Sequence, residues 1–440
     1  MRVRTLVIVL LLVANNIVAG GRMPTAAEQY VGCVKKVTDV MLNDVASPVA
    51  ASRYYAYVNL AAYETTALYG NLKTLKGSLH GFEGLQVDQT MISDTDKELA
   101  ILLTVMKMGE RLLPSGYMVK KGTDSLLLIY SKRSTTPKTV ALVDVVVQQI
   151  MKYVSADGFG KLNNMPRYIV RKGDGYWRPS QPAFMAPVEP HWNSLRTFFL
   201  DSAQQFKPAA PVAYDSSKAS VFYKLVKEVY DVDKRANTEE REIANFWDCN
   251  PFAVQQIGHI EYGLKKISPG GHWVGIAGIA CIQKKLNLER TVMVHALLSI
   301  GLADAFISCW DEKYRSNRVR PEHVIQKLMD PAWKPLLQTP PFPEYVSGHS
   351  VASNAAAVIL AAIFGDQFSY ADDTEVEFGL PIRKFTSFSS AAAEASISRL
   401  YGGIHYRDAI DQGVWQGKEI GKFYVKRMRP YFASFAKGGK

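Results

Sequence analysis

Cysteine is scarce, with four residues (Cys33, Cys249, Cys281 and Cys309) in a chain of 440. None stands at metal-ligand spacing, so the sequence offers no cysteine-built metal framework. Four cysteines allow three disulfide pairings, among which the sequence does not choose, and buried free thiols fit equally well. Alternating strand patterns are also scarce. No segment repeats with a period of about 20–50 residues, which excludes a solenoid or a propeller. A basic tail is absent, and no helix interleaves basic and aromatic residues along one face. The net charge of +11 therefore does not read as a nucleic-acid surface. It leaves a generally basic exterior or the chemistry of small anions. Beyond residue 20 no run reads as long enough to cross a bilayer. The longest apolar stretch, Val351 to Phe364, is interrupted by Ser353 and Asn354.

What is present begins with a leader. Arg2 and Arg4 precede the apolar run Leu6 to Ala14, and Val18-Ala19-Gly20 supplies small residues for cleavage. Residues 1–20 are expected to be a signal peptide, and the mature chain a secreted or periplasmic protein with no stable membrane insertion.

Apolar spacing then predicts an N-terminal helical region over 21–212. It holds helices at 24–46 and 48–69, separated by Ser47-Pro48, and at 95–113, 119–131 and 136–155. Residues 157–212 break the pattern. Gly, Pro and Trp cluster in Gly173 to Pro179 and in Pro187 to Trp192, an ordered loop expected to roof a site. A C-terminal helical bundle is predicted over 213–440. Its helices lie at 215–232, 238–248, 272–286, 289–319 (closed by Pro321), 350–365, from Thr386 or Ser387 to Gly402-Gly403, and from Asp408 to Arg427. Gly413, Gly417 and Gly421 form a stripe on the last helix that suits close packing. The fold class is all-α, a helical bundle.

Three segments of that bundle concentrate chemistry. Lys313 and Arg320 are seven residues apart, so on one helix they project from one face; alone they could be a solvated basic face. Ser347-Gly348-His349 precedes a helix, whose N-terminus offers free N–H groups and partial positive charge to an anion. Alone, Ser347 could be a simple N-cap. Arg399 and His405 flank the Gly402-Gly403 turn. Together, two Arg, one Lys, a Ser–Gly cradle and two His meet the needs of a pentavalent oxyanion. One neutral His can attack or ligate the central atom while the other moves protons.

The pattern Lys-x6-Arg-Pro, Ser-Gly-His, Ser-Arg-x5-His resembles that shared by vanadium-dependent haloperoxidases and type 2 phosphatidic acid phosphatases. It covers roughly residues 300–412 strongly. Phe246-Trp247-Asp248 and Pro269-Gly270-Gly271-His272-Trp273 are more weakly similar to segments of secreted bacterial haloperoxidase-like proteins. The resemblance implies a vanadate (or phosphate) site held by Lys313, Arg320, Ser347, Gly348 and Arg399. His405 would be the vanadium ligand, His349 the acid–base group, and Trp310 and Phe342 the walls of a halide pocket. Asp248 would orient an arginine. The implied function is oxidation of halide by hydrogen peroxide, with a small organic acceptor. The alternative is a soluble acid phosphatase that transfers the phosphoryl group of a phosphate ester through a phosphohistidine at His405. Two positions depart from the pattern. Val346 replaces the usual Pro before Ser-Gly-His, and the acidic residue after His405 is Asp408, three residues on rather than four.

Overall fold

The computed structural model describes residues 22–436 except 182, 258, 259, 264 and 265. The expected signal peptide lies outside the described residues. The N-terminal half contains α1 (Ala26–Asn43), α2 (Pro48–Leu68), α3 (Lys97–Leu112), α4 (Tyr117–Tyr130) and α5 (Thr136–Ser155). The C-terminal half contains α6 (Val221–Arg235), α7 (Thr238–Phe246), α8 (Pro269–Gln283), α9 (Leu288–Ser316), α10 (Pro321–Leu328), α11 (Gly348–Phe364), α12 (Phe388–Tyr401) and α13 (Arg407–Ala436). Two antiparallel hairpins complete the long elements: β1 (Val254–Ile257) with β2 (Ile260–Gly263), and β3 (Tyr370–Asp372) with β4 (Arg383–Phe385). The chain is thus mainly helical, as the sequence predicts.

Local chemistry sets the helix starts. Ser47, Ser268, Ser347 and Ser387 each accept a backbone N–H from the first turn they cap, with Pro48 and Pro269 at the first helical position. These caps satisfy donors that would otherwise be orphaned.

α9 is the axis of the bundle. It is buried from Leu288 to Lys313, apart from Glu289 and Arg290, as expected of a helix apolar around its circumference. α2 and α11 pack along it, and α12 and α13 pack on α11. Two helical stretches, Thr136–Asn164 and Leu288–Ser316, are long and apolar enough to cross a membrane. This corrects the reading that none is. The second is entirely buried inside the protein.

Gly413, Gly417 and Gly421 let α13 lie directly on α11. A Cβ at Gly417 would stand 2.3 Å from the Val351 carbonyl oxygen, and one at Gly413 would stand 2.9 Å from that of Ser347. One apolar cluster joins the two halves, running from Tyr30 through Leu298 and Ala355 to Tyr431. All four cysteines are buried free thiols.

α9 ends earlier than the sequence suggests. Asn317 adopts a left-handed conformation (φ 52°), and its N–H caps the Lys313 carbonyl. Arg318 and Val319 then leave the helix, and Val319 N–H bonds the Gly175 carbonyl at 3.0 Å. Arg320 is the N-cap residue of α10. Lys313 and Arg320 therefore sit on two helices joined by a sharp turn. Asn tolerates αL at a helix end, a stop signal that acts before Pro321 can.

Candidate active site

The site lies where the end of α9, the turns before α10 and α11, and the α12–α13 turn meet. A small cavity, about 30 Å³, opens there. Trp310, Phe342, Gly348, His349, Arg399 and His405 line it, together with Cys249, Asn250 and Phe306. Lys313, Arg320 and Ser347 are fully buried residues of the same segments. Every residue singled out in the three motifs is thus at or immediately behind one cavity, although Lys313 and Arg320 reach it from different helices.

Backbone carbonyls hold the cations. Lys313 Nζ donates to the carbonyls of Pro343 and Glu344, each at 3.1 Å, and to that of Val346 at 2.5 Å. Val346, where a Pro is usual, serves through its main chain. Arg320 donates from Nε to the Phe342 carbonyl (2.9 Å) and from Nη1 to that of Ile404 (3.0 Å). Arg399 Nη1 donates to the Trp247 carbonyl at 2.9 Å, while its Nε is buried with no partner.

The two histidines are distinct. His405 Nδ1 lies 2.8 Å from Glu344 Oε1, and its Nε2 lies 3.2 Å from Arg320 Nη1. Arg320 can only donate, so Nε2 carries the lone pair and Nδ1 the proton. Arg318 ties Glu344 to Asp408. Its guanidinium is 2.6 Å from Glu344 Oε2 and donates to both Asp408 oxygens, at 2.6 and 2.7 Å. Asp408 thus acts on His405 through two intermediaries, which explains how it serves from the third position after the histidine. Gly403 (φ 76°) makes the turn that delivers His405.

His349 follows the N-cap of α11. Its backbone partner is Trp247, the residue whose carbonyl also receives Arg399, and its Nε2 is buried without a partner. Ser347 Oγ accepts the Ser350 N–H at 3.3 Å and keeps its own proton to donate. A Cβ at Gly348 would meet Trp310, Cys309 and Lys313 only at 3.7–3.9 Å. The protein's own packing therefore does not require glycine there, whereas a backbone open to a ligand does. Trp310 and Phe342 lie 4.9 Å apart between ring centres, tilted by 49°.

Electrostatically the site is a cationic hole. Burial, reinforced by Arg320, pushes the Lys313 ammonium down to about 7. Burial and Arg399 push Arg320 down to about 9, despite the opposing charge of Glu344. Burial lowers Arg399 as well. His349 and His405 are held well below the usual imidazole range by burial and by these same cations. Burial is the largest cause of all five depressions, a cost that a bound anion would offset.

Two expectations need correction. Asp248 makes no hydrogen bond to an arginine among the described residues. It pairs with Lys266 and reaches Arg399 only through its charge. None of the residues lining the cavity comes from the 157–212 loop, so the loop is not its roof. It braces the site from behind. The Val188 carbonyl accepts the Trp310 indole at 3.2 Å and the Tyr314 hydroxyl at 2.6 Å. Asp304 of α9 accepts the N–H groups of Phe198, Phe199 and Leu200. Glu344 and the Trp247 carbonyl are the functional groups that sequence reasoning missed.

Residues 293–434 match a protein family described as the VCPO second helical-bundle domain. A bacterial vanadium-dependent iodoperoxidase of known structure is 44% identical over 92% of this chain and 97% of its own, with a TM-score of 0.87. The chain belongs to the vanadium-dependent haloperoxidases. Holo and apo forms of a bacterial vanadium-dependent chloroperoxidase share the fold at 15% and 14% identity, with TM-scores of 0.67 and 0.66. No curated protein sequence matches.

This haloperoxidase fits the cofactor of its family. Arg399 Nε and His349 Nε2 are buried without a hydrogen-bond partner, as groups that would take up an oxyanion's hydrogen bonds are. The Nε2 lone pair of His405 supplies one neutral nitrogen for a metal centre, with its tautomer set from behind by a carboxylate.

Proposed function

We propose that the protein oxidises iodide with hydrogen peroxide, consuming a proton and yielding hypoiodous acid and water, and delivers the iodine to a small organic acceptor. The observation that carries this reading is the His405 Nε2 lone pair, at a cavity otherwise walled by cations and two aromatics. The 44% identity to an iodoperoxidase supports iodide as the halide. Lys313, Arg320, Arg399, the Ser347 hydroxyl and the Gly348 N–H would hold the oxygens of vanadate, and His405 Nε2 would hold the vanadium. Bound there, vanadate supplies a Lewis-acidic centre that activates hydrogen peroxide for two-electron oxidation of halide.

The chain's own groups do the rest. His349, neutral and unpartnered at Nε2, accepts a proton from peroxide and returns it to the departing oxygen. The Trp247 carbonyl fixes both His349 and Arg399. Trp310 and Phe342 form the weakly hydrated wall against which a large, polarisable anion rests. Residues 1–20 would direct export before the enzyme meets its substrates.

The test is peroxide-dependent triiodide formation by apoprotein, with and without added vanadate, beside hydrolysis of a phosphate ester. Vanadate-dependent oxidation with no ester turnover is expected. Ester hydrolysis without halide oxidation would assign the site to phosphoryl transfer instead.

A further inference from the structure

A second cluster sits beside the cavity, outside the oxyanion set. Cys249, in the turn after α7, His272, in the first turn of α8, and Glu375, after β3, are all buried. One ligand atom from each lies within 4.8 Å of the other two. His272 Nδ1 is 3.5 Å from Cys249 Sγ and 3.2 Å from Glu375 Oε1. That carboxylate oxygen makes no hydrogen bond although it is buried. On the other side of the ring, Nε2 is 2.8 Å from Asp372 Oδ2.

The two edges that meet at Nδ1 match those of a zinc tetrahedron. Bonds of about 2.05 Å to nitrogen, 2.3 Å to sulfur and 2.0 Å to oxygen give edges of about 3.5 Å for N···S and about 3.3 Å for N···O. Glu375 Oε1 meets the His272 ring by charge alone, without a hydrogen bond. Asp372 completes the carboxylate–histidine arrangement found behind metal-bound imidazoles. It holds Nε2, so that Nδ1 is the nitrogen left to ligate once its own proton, which Asp372, Cys249 and Glu375 favour before any ion binds, is released.

We infer that Cys249, His272 and Glu375 form a site for a zinc-class divalent cation, with Asp372 as the positioning residue and a fourth position left for water. Binding releases the Cys249 thiol proton and the His272 Nδ1 proton, and the cation bonds the resulting thiolate and imidazole nitrogen. The site would staple the α7–β1 turn, the start of α8 and the segment after β3. The first of these carries Trp247, whose ring stacks on His272 at 4.5 Å and whose carbonyl holds Arg399. Ligation would also keep Cys249, which lines the cavity, from reacting as a free thiol with the oxidant made there.

The experiment is a cobalt(II) titration of the full-length protein after chelator treatment, without vanadate. One equivalent per chain with a thiolate-to-cobalt charge-transfer band is expected. The band should disappear in Cys249→Ser and persist in His405→Ala. Asp372→Asn should weaken binding by roughly 10–100-fold. If Cys249→Ser fails to fold by circular dichroism, Glu375→Gln reads the same site through its loss of affinity. Wild-type protein that takes up no stoichiometric cobalt, or a band that survives Cys249→Ser, overturns the site whatever the outcome at the oxyanion pocket.

Discussion

Glu344 holds His405 from behind, with Oε1 2.8 Å from the imidazole Nδ1 and Oε2 2.6 Å from the Arg318 guanidinium. The carboxylate fixes the tautomer that leaves the Nε2 lone pair facing Arg320 Nη1 at the rim of the cavity, and it is itself fixed by a buried cation.

Glu344→Gln keeps the shape but removes the charge. Vanadate affinity should fall by roughly 10–100-fold, the usual effect of losing a group behind a ligating imidazole. A vanadate titration followed by recovered peroxidase activity measures this. Unchanged affinity would remove Glu344 from the site's support.

Histidine variants separate binding from turnover. His405→Ala should lose vanadate retention and activity together. His349→Ala should keep vanadate, through His405 and the three cations, and turn over about 10²–10⁴-fold more slowly. If His349→Ala abolishes binding and His405→Ala retains it, the two roles are exchanged.

Arg320 and Arg399 should not tolerate lysine. Lysine keeps the charge but loses the planar fork, and at 320 it would also leave the Phe342 and Ile404 carbonyls without their donors. The expected order of vanadate affinity is wild type, then Arg→Lys, then Arg→Ala. Equal affinities in equilibrium dialysis would exclude both arginines from the pocket.

Lys313 should make vanadate binding draw in a proton. Its pKa of about 7 in the empty pocket leaves it mostly neutral at about pH 8, and a bound oxyanion favours the ammonium. The same shift has a stability consequence. An unfolded lysine keeps its proton up to about pH 10, so between pH 7 and that value the unfolded chain binds more protons and stability rises with pH. Calorimetry in buffers of different ionisation heat, comparing wild type with Lys313→Met, isolates the uptake from vanadate's own protonation. No difference between the two would contradict it.

Gly417→Ala should strain the α11–α13 contact, because the new methyl would meet the Val351 carbonyl oxygen at 2.3 Å. Overpacking of this kind costs about 1–3 kcal/mol. Denaturant unfolding would show it, and a midpoint equal to wild type would mean that the helices part freely.

Most of the helices were legible because their starts carry side-chain caps such as Ser47, Ser347 and Ser387, which act within one turn. The three motifs were legible because each cation or imidazole is rare in an apolar helix. The end of α9 was not, because no Gly or Pro stands between Gly301 and Pro321 and the stop is a backbone choice made at Asn317. Glu344 was missed because its partner His405 is 61 residues away, and proximity across a turn leaves no periodic trace. The Trp247 carbonyl has no residue-type signal. The 157–212 loop carries large aromatics, as a roof would, yet they pack on α9 and its end rather than over the opening.

The backbone carbonyls that hold Lys313 and Arg320 have one outcome for how the enzyme lives. Because the cations are clamped before any oxyanion arrives, the cradle meets phosphate as readily as vanadate; both offer the same tetrahedron of charge. Under the proposed function, preference for vanadate would then come from the one bond that His405 would make to the central atom. Wherever phosphate outnumbers vanadate, phosphate would compete for the same cradle as a reversible off-state.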